Sequence, residues 1–232
     1  MLKDSRSCTI TTPLESCKIK KVLGQEHKEC YHISTPESVT LNQILHLKDI
    51  PFLLLLYFLI FLAFNIFYVA FPVHAVESLQ WSLLDLGIFF SSLGMIMVVV
   101  QGPLLAKISR KFSDGILTVV GSILLAFSFF CFTSREITII YFAVALFSTG
   151  NGLMWPSFLS ILSRVGGSRF QGAIQGYASS MGSLASIIGL ITGGYLYGML
   201  GIKTFYLPGL LILIIFALSI RLQKLQTPTQ AD

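Results

Sequence analysis

Apolar residues form long, nearly uninterrupted runs through most of the chain after residue 50, separated by short polar stretches. A helix needs about 20 apolar residues to cross a hydrocarbon layer of about 30 Å. Transmembrane β-strands are shorter, about 10 residues, and alternate apolar with polar side chains. Runs that are longer and apolar on all sides therefore predict an all-α integral membrane protein, a six-transmembrane-helix bundle within residues 41–222. The predicted spans are about 52–76, 84–106, 116–133, 137–162, 172–200 and 205–220.

The two ends of the chain differ from this apolar part. Residues 1–40 are polar, mixed in charge and without a helical period, which predicts a disordered segment. The stretch "TLNQILHLKDI" places Leu41, Ile44 and Leu45 on one helical face and predicts a short interfacial helix before the first span. Residues 223–232 are predicted to be a polar tail.

Composition and charge support the membrane assignment and also predict the orientation of the chain in the membrane. The chain is 54% hydrophobic and 12% charged, about half the charged share of a soluble domain. Basic residues collect in alternate loops, and short Lys- and Arg-rich loops stay cytoplasmic. Both termini are therefore predicted to be cytoplasmic. The basic side holds Lys48, Lys107, Arg110, Lys111, Arg164, Arg169, Arg221 and Lys224, and the opposite side holds Arg135 and Lys203. The net charge of +5 is thus a topology signal, and no nucleic-acid partner is expected because the charge is spread over loops.

Catalytic, metal and nucleotide motifs are weak. In "HKECYH", His27, Cys30 and His32 match no pair of ligand clusters with zinc spacing, so no metal is expected. The "ASSMG" stretch resembles a nucleophile elbow, but Ser180 is predicted to lie mid-helix and no histidine partner is found inside a span. No phosphate-binding glycine loop occurs. The sequence therefore predicts neither an enzyme nor an ATP-driven pump, and no cofactor.

Ionisable groups inside a membrane are costly, so they usually serve a function. We find none deep in a predicted span. Asp85 and Asp114 lie at span starts, where a carboxylate favours a helix N-terminus, and His74 and Glu77 lie at a span edge. The chain by itself is therefore not expected to carry out proton-coupled transport.

Uncharged polar residues recur at helical spacing in three spans. Candidate substrate-lining residues are Asn65, Tyr68, Asn151, Trp155 and Gln175. The stripe in the fifth span continues through Ser179, Ser183 and Ser186. Such stripes either line a water-filled cavity or form hydrogen bonds between helices. The serines favour the second interpretation, whereas Asn65, Asn151 and Trp155 are open between the two.

Small residues four apart predict close helix packing in the second and fifth spans, because they let two backbones approach. The second span carries Gly87, Ser91 and Gly94 on one face. The fifth span carries the pairs Gly172 and Gly176, Gly189 and Gly193, and Gly194 and Gly198.

The loop after the second span resembles a motif of the major facilitator superfamily. That motif runs Gly, any residue, Leu, small, Asp, Arg or Lys, any residue, Gly, Arg, Arg or Lys. The matching residues here are Gly102, Leu104, Lys107, Arg110 and Lys111, while Ala106 and Ser109 replace the Asp and the second Gly. The stretch "RFQGAIQGYASSMGSLASIIGLITGGYLYG" is similar to the drug:proton antiporter branch, which includes tetracycline-efflux-like proteins.

The resemblance covers about residues 41–222 and implies the C-terminal six-helix half of such a transporter. It implies secondary active efflux of a small molecule or drug, with the substrate between two halves near the membrane midplane. The implied partners are the lipid bilayer, a small-molecule substrate, and either a complementary N-terminal half or a second copy in a homodimer. The alternative is a non-transporting membrane protein, a relic or a subunit that needs the complementary half. The expected location is the cell membrane, plasma or inner.

Overall fold

The computed structural model describes residues 47, 49–165 and 167–226, with the side chains of 167–169 and 221–226 excepted. This part of the chain consists of helices joined by short turns, and the first four predicted spans match its helices closely. Their bounds are α1 Ile50–Glu77, α2 Leu83–Val99, α3 Leu105–Ile108, α4 Asp114–Cys131, α5 Ile137–Val165, α6 Gly167–Leu200 and α7 Tyr206–Gln226. The predictions for residues 1–40 and for the interfacial helix at Leu41, Ile44 and Leu45 lie outside the described residues. The α7 helix runs four residues into the predicted tail.

Among the described residues, five helices are long and apolar enough to be candidate membrane spans, one fewer than the six predicted. Four are Ile50–Glu77, Leu83–Ile108, Asp114–Cys131 and Ile137–Val165. The fifth, Phe170–Ile220, is a continuous helical stretch of 51 residues. It merges the last two predicted spans because a 3₁₀ segment, Gly201–Phe205, joins α6 directly to α7, beginning at Gly201, whose φ of 55° is left-handed.

Helix starts and irregularities follow from local sequence. Ser82 and Asp85 form a capping box at the start of α2, and the Ser113 hydroxyl accepts a hydrogen bond from the backbone N–H of Ile116 at the start of α4. Between α2 and α3 lies a π-helical segment, Val100–Leu104. It contains Pro103, which has no N–H to donate and whose ring crowds the preceding turn.

The core is built on two close helix pairs, α4 with α5 and α1 with α6, and α7 packs against α4 and α1. Phe67 of α1 lies at its centre, fully buried. Its ring contacts those of Phe129, Phe132 and Phe147, with centroids 4.9–5.3 Å apart. Aromatic pairs in this range add about 0.5–1.5 kcal/mol each beyond their buried area, so these rings hold α1, α4 and α5 together.

The α4–α5 pair crosses at two glycines that face each other. A Cβ at Gly121 would lie 2.6 Å from the carbonyl oxygen of Gly150, and a Cβ at Gly150 would lie 2.7 Å from that of Gly121. The backbones are therefore in direct contact. Small-residue contacts of this kind drive helix association in lipid, and this pair was not among the predicted packing glycines.

The α2 helix is the least covered of the long helices. Met95, Val98 and Leu83 are 70%, 69% and 85% exposed, and a Cβ at Gly87 or Gly94 would meet no atom within 4 Å. On its inner face, Phe89 and Leu93 are buried. The small-residue face predicted to pack against a neighbour thus lies open among the described residues.

Candidate functional site

An aromatic cluster lies between the first half of α1 and the second half of α5. Tyr57 stacks on Phe61 with ring centroids 4.8 Å apart. Trp155 of α5 lies 5.3 Å from Tyr57 and 5.4 Å from Phe61. Phe158 continues the cluster on the α5 side. Trp155 is only half-buried, so the cluster combines ring faces with access from outside the bundle.

The ring contacts show that α1 and α5 run antiparallel. Positions later in α1 meet positions earlier in α5: Phe61 contacts Trp155, whereas Phe64 contacts Phe147. The central turns of the two helices, which hold Asn65 and Asn151, therefore lie at the same level of the bundle.

Asn65 bridges α1 and α6. Its Nδ2 donates to the Phe61 carbonyl at 2.8 Å and to Ser186 Oγ at 3.0 Å. Ser186 in turn donates to the Gly182 carbonyl of its own helix. These bonds favour the helix-packing interpretation for Asn65 and Ser186.

Asn151 has a different environment. Its Nδ2 makes a long contact of 3.7 Å with Met97 Sδ of α2. Its carbonyl oxygen, Oδ1, is buried and has no hydrogen-bond partner. A buried unpaired acceptor costs about 1–3 kcal/mol. One turn earlier in α5, Ser148 is satisfied, because its hydroxyl donates to the Leu93 carbonyl of α2.

The remaining candidates are not gathered into one site. Tyr68 is 41% exposed and its ring lies near Phe64, Phe67 and Phe90. Gln175 is exposed on α6. The structure thus brings Trp155 together with Tyr57 and Phe61, with Asn65 and Asn151 at the next level, and leaves Gln175 apart.

The glycines predicted on α6 fall into two groups. A Cβ at Gly189 would lie 2.8 Å from Asn65 Cβ, and one at Gly193 would lie 3.0 Å from the Ile66 Cα. A Cβ at Gly194 would make only an ordinary contact, 3.6 Å from the Val69 side chain. A Cβ at Gly172, Gly176 or Gly198 would meet no atom within 4 Å. At Gly182, which was not predicted, a Cβ would lie 2.7 Å from the Tyr57 ring.

The residues of the basic loop motif lie just before, within and just after α3. Gly102 and Leu104 lie in the π-helical segment, Lys107 in α3, and Arg110 and Lys111 in the turn that follows. All five residues are exposed. Their side chains are therefore available to solvent, lipid headgroups or another chain.

Next to this loop, Asp114 starts α4 and connects it to the end of α5. Its Oδ2 accepts from Arg164 at 2.6 Å and from Ser160 Oγ at 2.7 Å. A cavity of about 290 Å³ adjoins the pair and is lined partly by Gln101 and Ser157. The Ser157 hydroxyl is buried without a partner. Arg164 already balances the charge of Asp114, so the cavity carries no excess charge from this pair.

His74 corrects the prediction that no histidine lies inside a span. It belongs to the candidate span Ile50–Glu77 and is 1% exposed, although it is only one turn from the helix end. Its Nδ1 lies 3.0 Å from the Tyr197 hydroxyl of α6, and its Nε2 has no partner. The sequence places His74 at the edge of the first predicted span. Its ring is buried because α6 and Phe205 pack against it.

Metal ligands do not cluster in the described part of the chain, where no group of three or more His, Cys, Asp or Glu side chains is placed to hold an ion. The "HKECYH" stretch lies outside the described residues.

These features define a multi-pass, all-helical membrane protein whose polar and aromatic side chains meet between helices. Residues 53–231 match the family model of the Major Facilitator Superfamily. Because this match covers most of the sequence, the chain belongs to the Major Facilitator Superfamily, a family of membrane transporters and not of enzymes.

Its relatives are distant. The chain is 26% identical over 152 residues to the tetracycline resistance protein, class B, of Escherichia coli, a stretch that covers 65% of this chain and 37% of that protein. It is also 26% identical over 123 residues to the uncharacterized MFS-type transporter YttB of Bacillus subtilis (strain 168), covering 52% of this chain and 31% of that protein.

The fold is similar to that of the human organic anion transporter MFSD10 (TETRAN), with a TM-score of 0.69 and 21% identity. That similarity covers 83% of this chain and 48% of the transporter. The chain therefore spans less than half the length of each of these three proteins.

Proposed function

We propose that this chain forms the substrate-binding half of a secondary transporter that exports a small, partly apolar molecule. The site combines the ring faces of Tyr57, Phe61 and Trp155 between α1 and α5 with the amide of Asn151, one turn earlier in α5, which contacts Met97 of α2. A ring face attracts a cation by about 0.5–2 kcal/mol. Pockets of this kind use a few polar groups to fix the orientation of an otherwise apolar ligand.

The observation that carries the proposal is the unpartnered Oδ1 of Asn151. Asn151 lies four residues before Trp155 in the same helix, so this oxygen belongs to the turn of α5 next to Trp155. A ligand that donates an N–H or O–H to Oδ1 while resting on the rings would relieve its missing hydrogen bond. The likeness to a tetracycline resistance protein supports drugs as the substrate class, and the likeness to an organic anion transporter concerns the fold alone.

Replacing Asn151 with Leu should weaken ligand binding at least tenfold while leaving the amount of folded protein unchanged. The reason is that Leu keeps the volume but removes the acceptor. Binding of tetracycline and of tetraphenylphosphonium to the purified chain in nanodiscs would be followed by quenching of Trp155, with Trp81 replaced by Phe.

The matched control is Ser180→Ala, which removes an exposed hydroxyl that bonds only to the Gly176 carbonyl of its own helix. Equal affinities for Asn151→Leu and Ser180→Ala would contradict the site. No binding of either compound by the folded wild-type chain would instead favour the alternative, a subunit that needs a complementary half.

We further propose that a second unit, either a complementary half or another copy of this chain, completes the transporter. The chain spans less than half of its relatives, and α2 leaves an apolar face uncovered. In this arrangement the stretch Phe170–Ile220 crosses the membrane twice. A straight helix of its 51 residues would be about 75 Å long, more than twice the hydrocarbon thickness.

The topology that we propose places the basic turn after α3 in the cytoplasm of the cell, with both termini on that side. A single cysteine at Ser109 should then be labelled by an impermeant thiol reagent only after cells are permeabilised. A cysteine at Glu77 should be labelled in intact cells. Both positions are exposed, and the four native cysteines would be replaced beforehand.

Glu77 is preferred to Ser82, which is also exposed, because Ser82 caps α2. Labelling of the cysteine at 109 in intact cells, with the one at 77 protected, would reverse the proposed orientation.

A further inference from the structure

The end of α1 carries a short hydrogen-bonded chain that runs from a buried ring to the surface. His74 Nδ1 lies 3.0 Å from the Tyr197 hydroxyl, and that hydroxyl lies 3.3 Å from Ser78 Oγ. His74 and Tyr197 are 1% and 7% exposed, whereas Ser78 is exposed. The three groups thus connect the core of the α1–α6 contact with water at one end of the bundle, the end that also holds the turn between α1 and α2.

Nε2 of His74 has no partner in either tautomer, so a proton that passes through Tyr197 must bind at Nδ1. When Nε2 holds the ring proton, Nδ1 accepts from the Tyr197 hydroxyl, and the Tyr197 oxygen accepts from the Ser78 hydroxyl. The Tyr197 hydroxyl then gives its proton to Nδ1 and takes a replacement from Ser78, which takes one from water.

His74 is buried against uncharged side chains. The charged group that acts on it is the guanidinium of Arg135, in the turn between α4 and α5, which has the same sign as an imidazolium. The 3₁₀ segment places the Phe205 ring against His74 with centroids 5.5 Å apart, and its Lys203 is exposed. On α1 the nearby carboxylate, Glu77, is exposed, and α6 contributes Tyr197.

From this geometry we propose that His74 is a proton-binding site, reached from the Ser78 end through Tyr197, and that binding a proton there separates the ends of α1 and α6. A buried imidazolium without a counter-charge is unfavourable. Proton uptake therefore favours the arrangement in which the ring is hydrated and Tyr197 no longer covers it. This inference does not depend on which molecule the chain binds.

The test is the distance between spin labels at Glu77 of α1 and Met199 of α6, both exposed positions, in the full chain in nanodiscs. Dipolar broadening should be strong at pH 8 and fall at least twofold as the pH is lowered toward 4, following a one-proton curve, because a single ring takes up a single proton. His74→Gln keeps a hydrogen-bonding side chain but cannot take up the proton, so its broadening should stay constant across this range.

A matched control replaces His27, His32 and His46, the other three histidines of the sequence, with Gln and should keep the full response. If His74→Gln fails to fold, the variant Tyr197→Phe provides a second test. It keeps the ring but removes the hydroxyl that tethers His74, so the labels should already be partly separated at pH 8. A pH response that survives in His74→Gln, or a wild-type distance that does not change with pH, would overturn the proposal.

Discussion

Replacing Gly121 with Ala should abolish most of the folded protein, the largest effect expected of any single methyl group in this chain. The added Cβ would lie 2.6 Å from both the Gly150 carbonyl oxygen and the Met154 backbone nitrogen. Both atoms belong to the α5 backbone, which cannot rotate away as a side chain does. Relief requires α4 and α5 to separate, which also loosens the rings that Phe129 and Phe147 contribute to the core. Overpacking typically costs about 1–3 kcal/mol and occasionally more, and we expect the upper end.

The measurement is the midpoint of thermal unfolding, together with the yield of monodisperse protein in mild detergent. The matched control is Gly94→Ala, the same change within α2 at a glycine where an added Cβ would meet no atom within 4 Å. Since Ala favours helix over Gly by about 1 kcal/mol, the control should be neutral or slightly stabilised. If Gly121→Ala were equally well tolerated, the direct contact between α4 and α5 would be wrong.

Replacing Gly193 with Leu should push α6 away from α1 and cause the second largest loss of folded protein. A Cβ at Gly193 would lie 3.0 Å from the Ile66 Cα and 3.1 Å from its carbonyl oxygen. The rest of a leucine side chain has no room beyond that point. The displacement would also stretch the hydrogen bond between Asn65 and Ser186 two turns away. We expect a cost of about 2–3 kcal/mol.

The comparison is with Gly198→Leu on the same helix, where nothing lies within 4 Å. Fluorescence-detected size exclusion of both variants after a heating series would give the difference in stability. A loss of folded protein that is the same for both substitutions would show that α6 tolerates bulk poorly everywhere and does not pack through Gly193.

The sequence by itself determined the class of protein and the helices. Apolar runs long enough to cross a bilayer decide membrane insertion, because no backbone group finds water there and each must be satisfied within its own helix. Local signals fixed several bounds, as Ser82 and Asp85 do at the start of α2. The resemblance of the loop from Gly102 to Lys111 to a superfamily motif agreed with the family match.

Only the tertiary structure decided which faces of those helices meet. Runs that are apolar all round carry no polar face to distinguish the core from lipid, so spacing alone did not select the glycines that touch. Gly121 and Gly150, one on each helix, form the tightest crossing although neither belongs to a pair of glycines four residues apart. Gly172 and Gly176 are such a pair, yet both face open space.

The candidate site shows the same division. Sequence spacing grouped Asn151 with Trp155, but whether an amide is satisfied depends on the helix opposite it. Asn65 meets Ser186, while Asn151 Oδ1 meets nothing. His74 stands one turn from a helix end, where sequence predicts contact with water, and it is buried because α6 brings Tyr197 over it from 123 residues away. Partners so distant along the chain leave no local pattern, so the packing alone determines which polar groups are buried and unpaired.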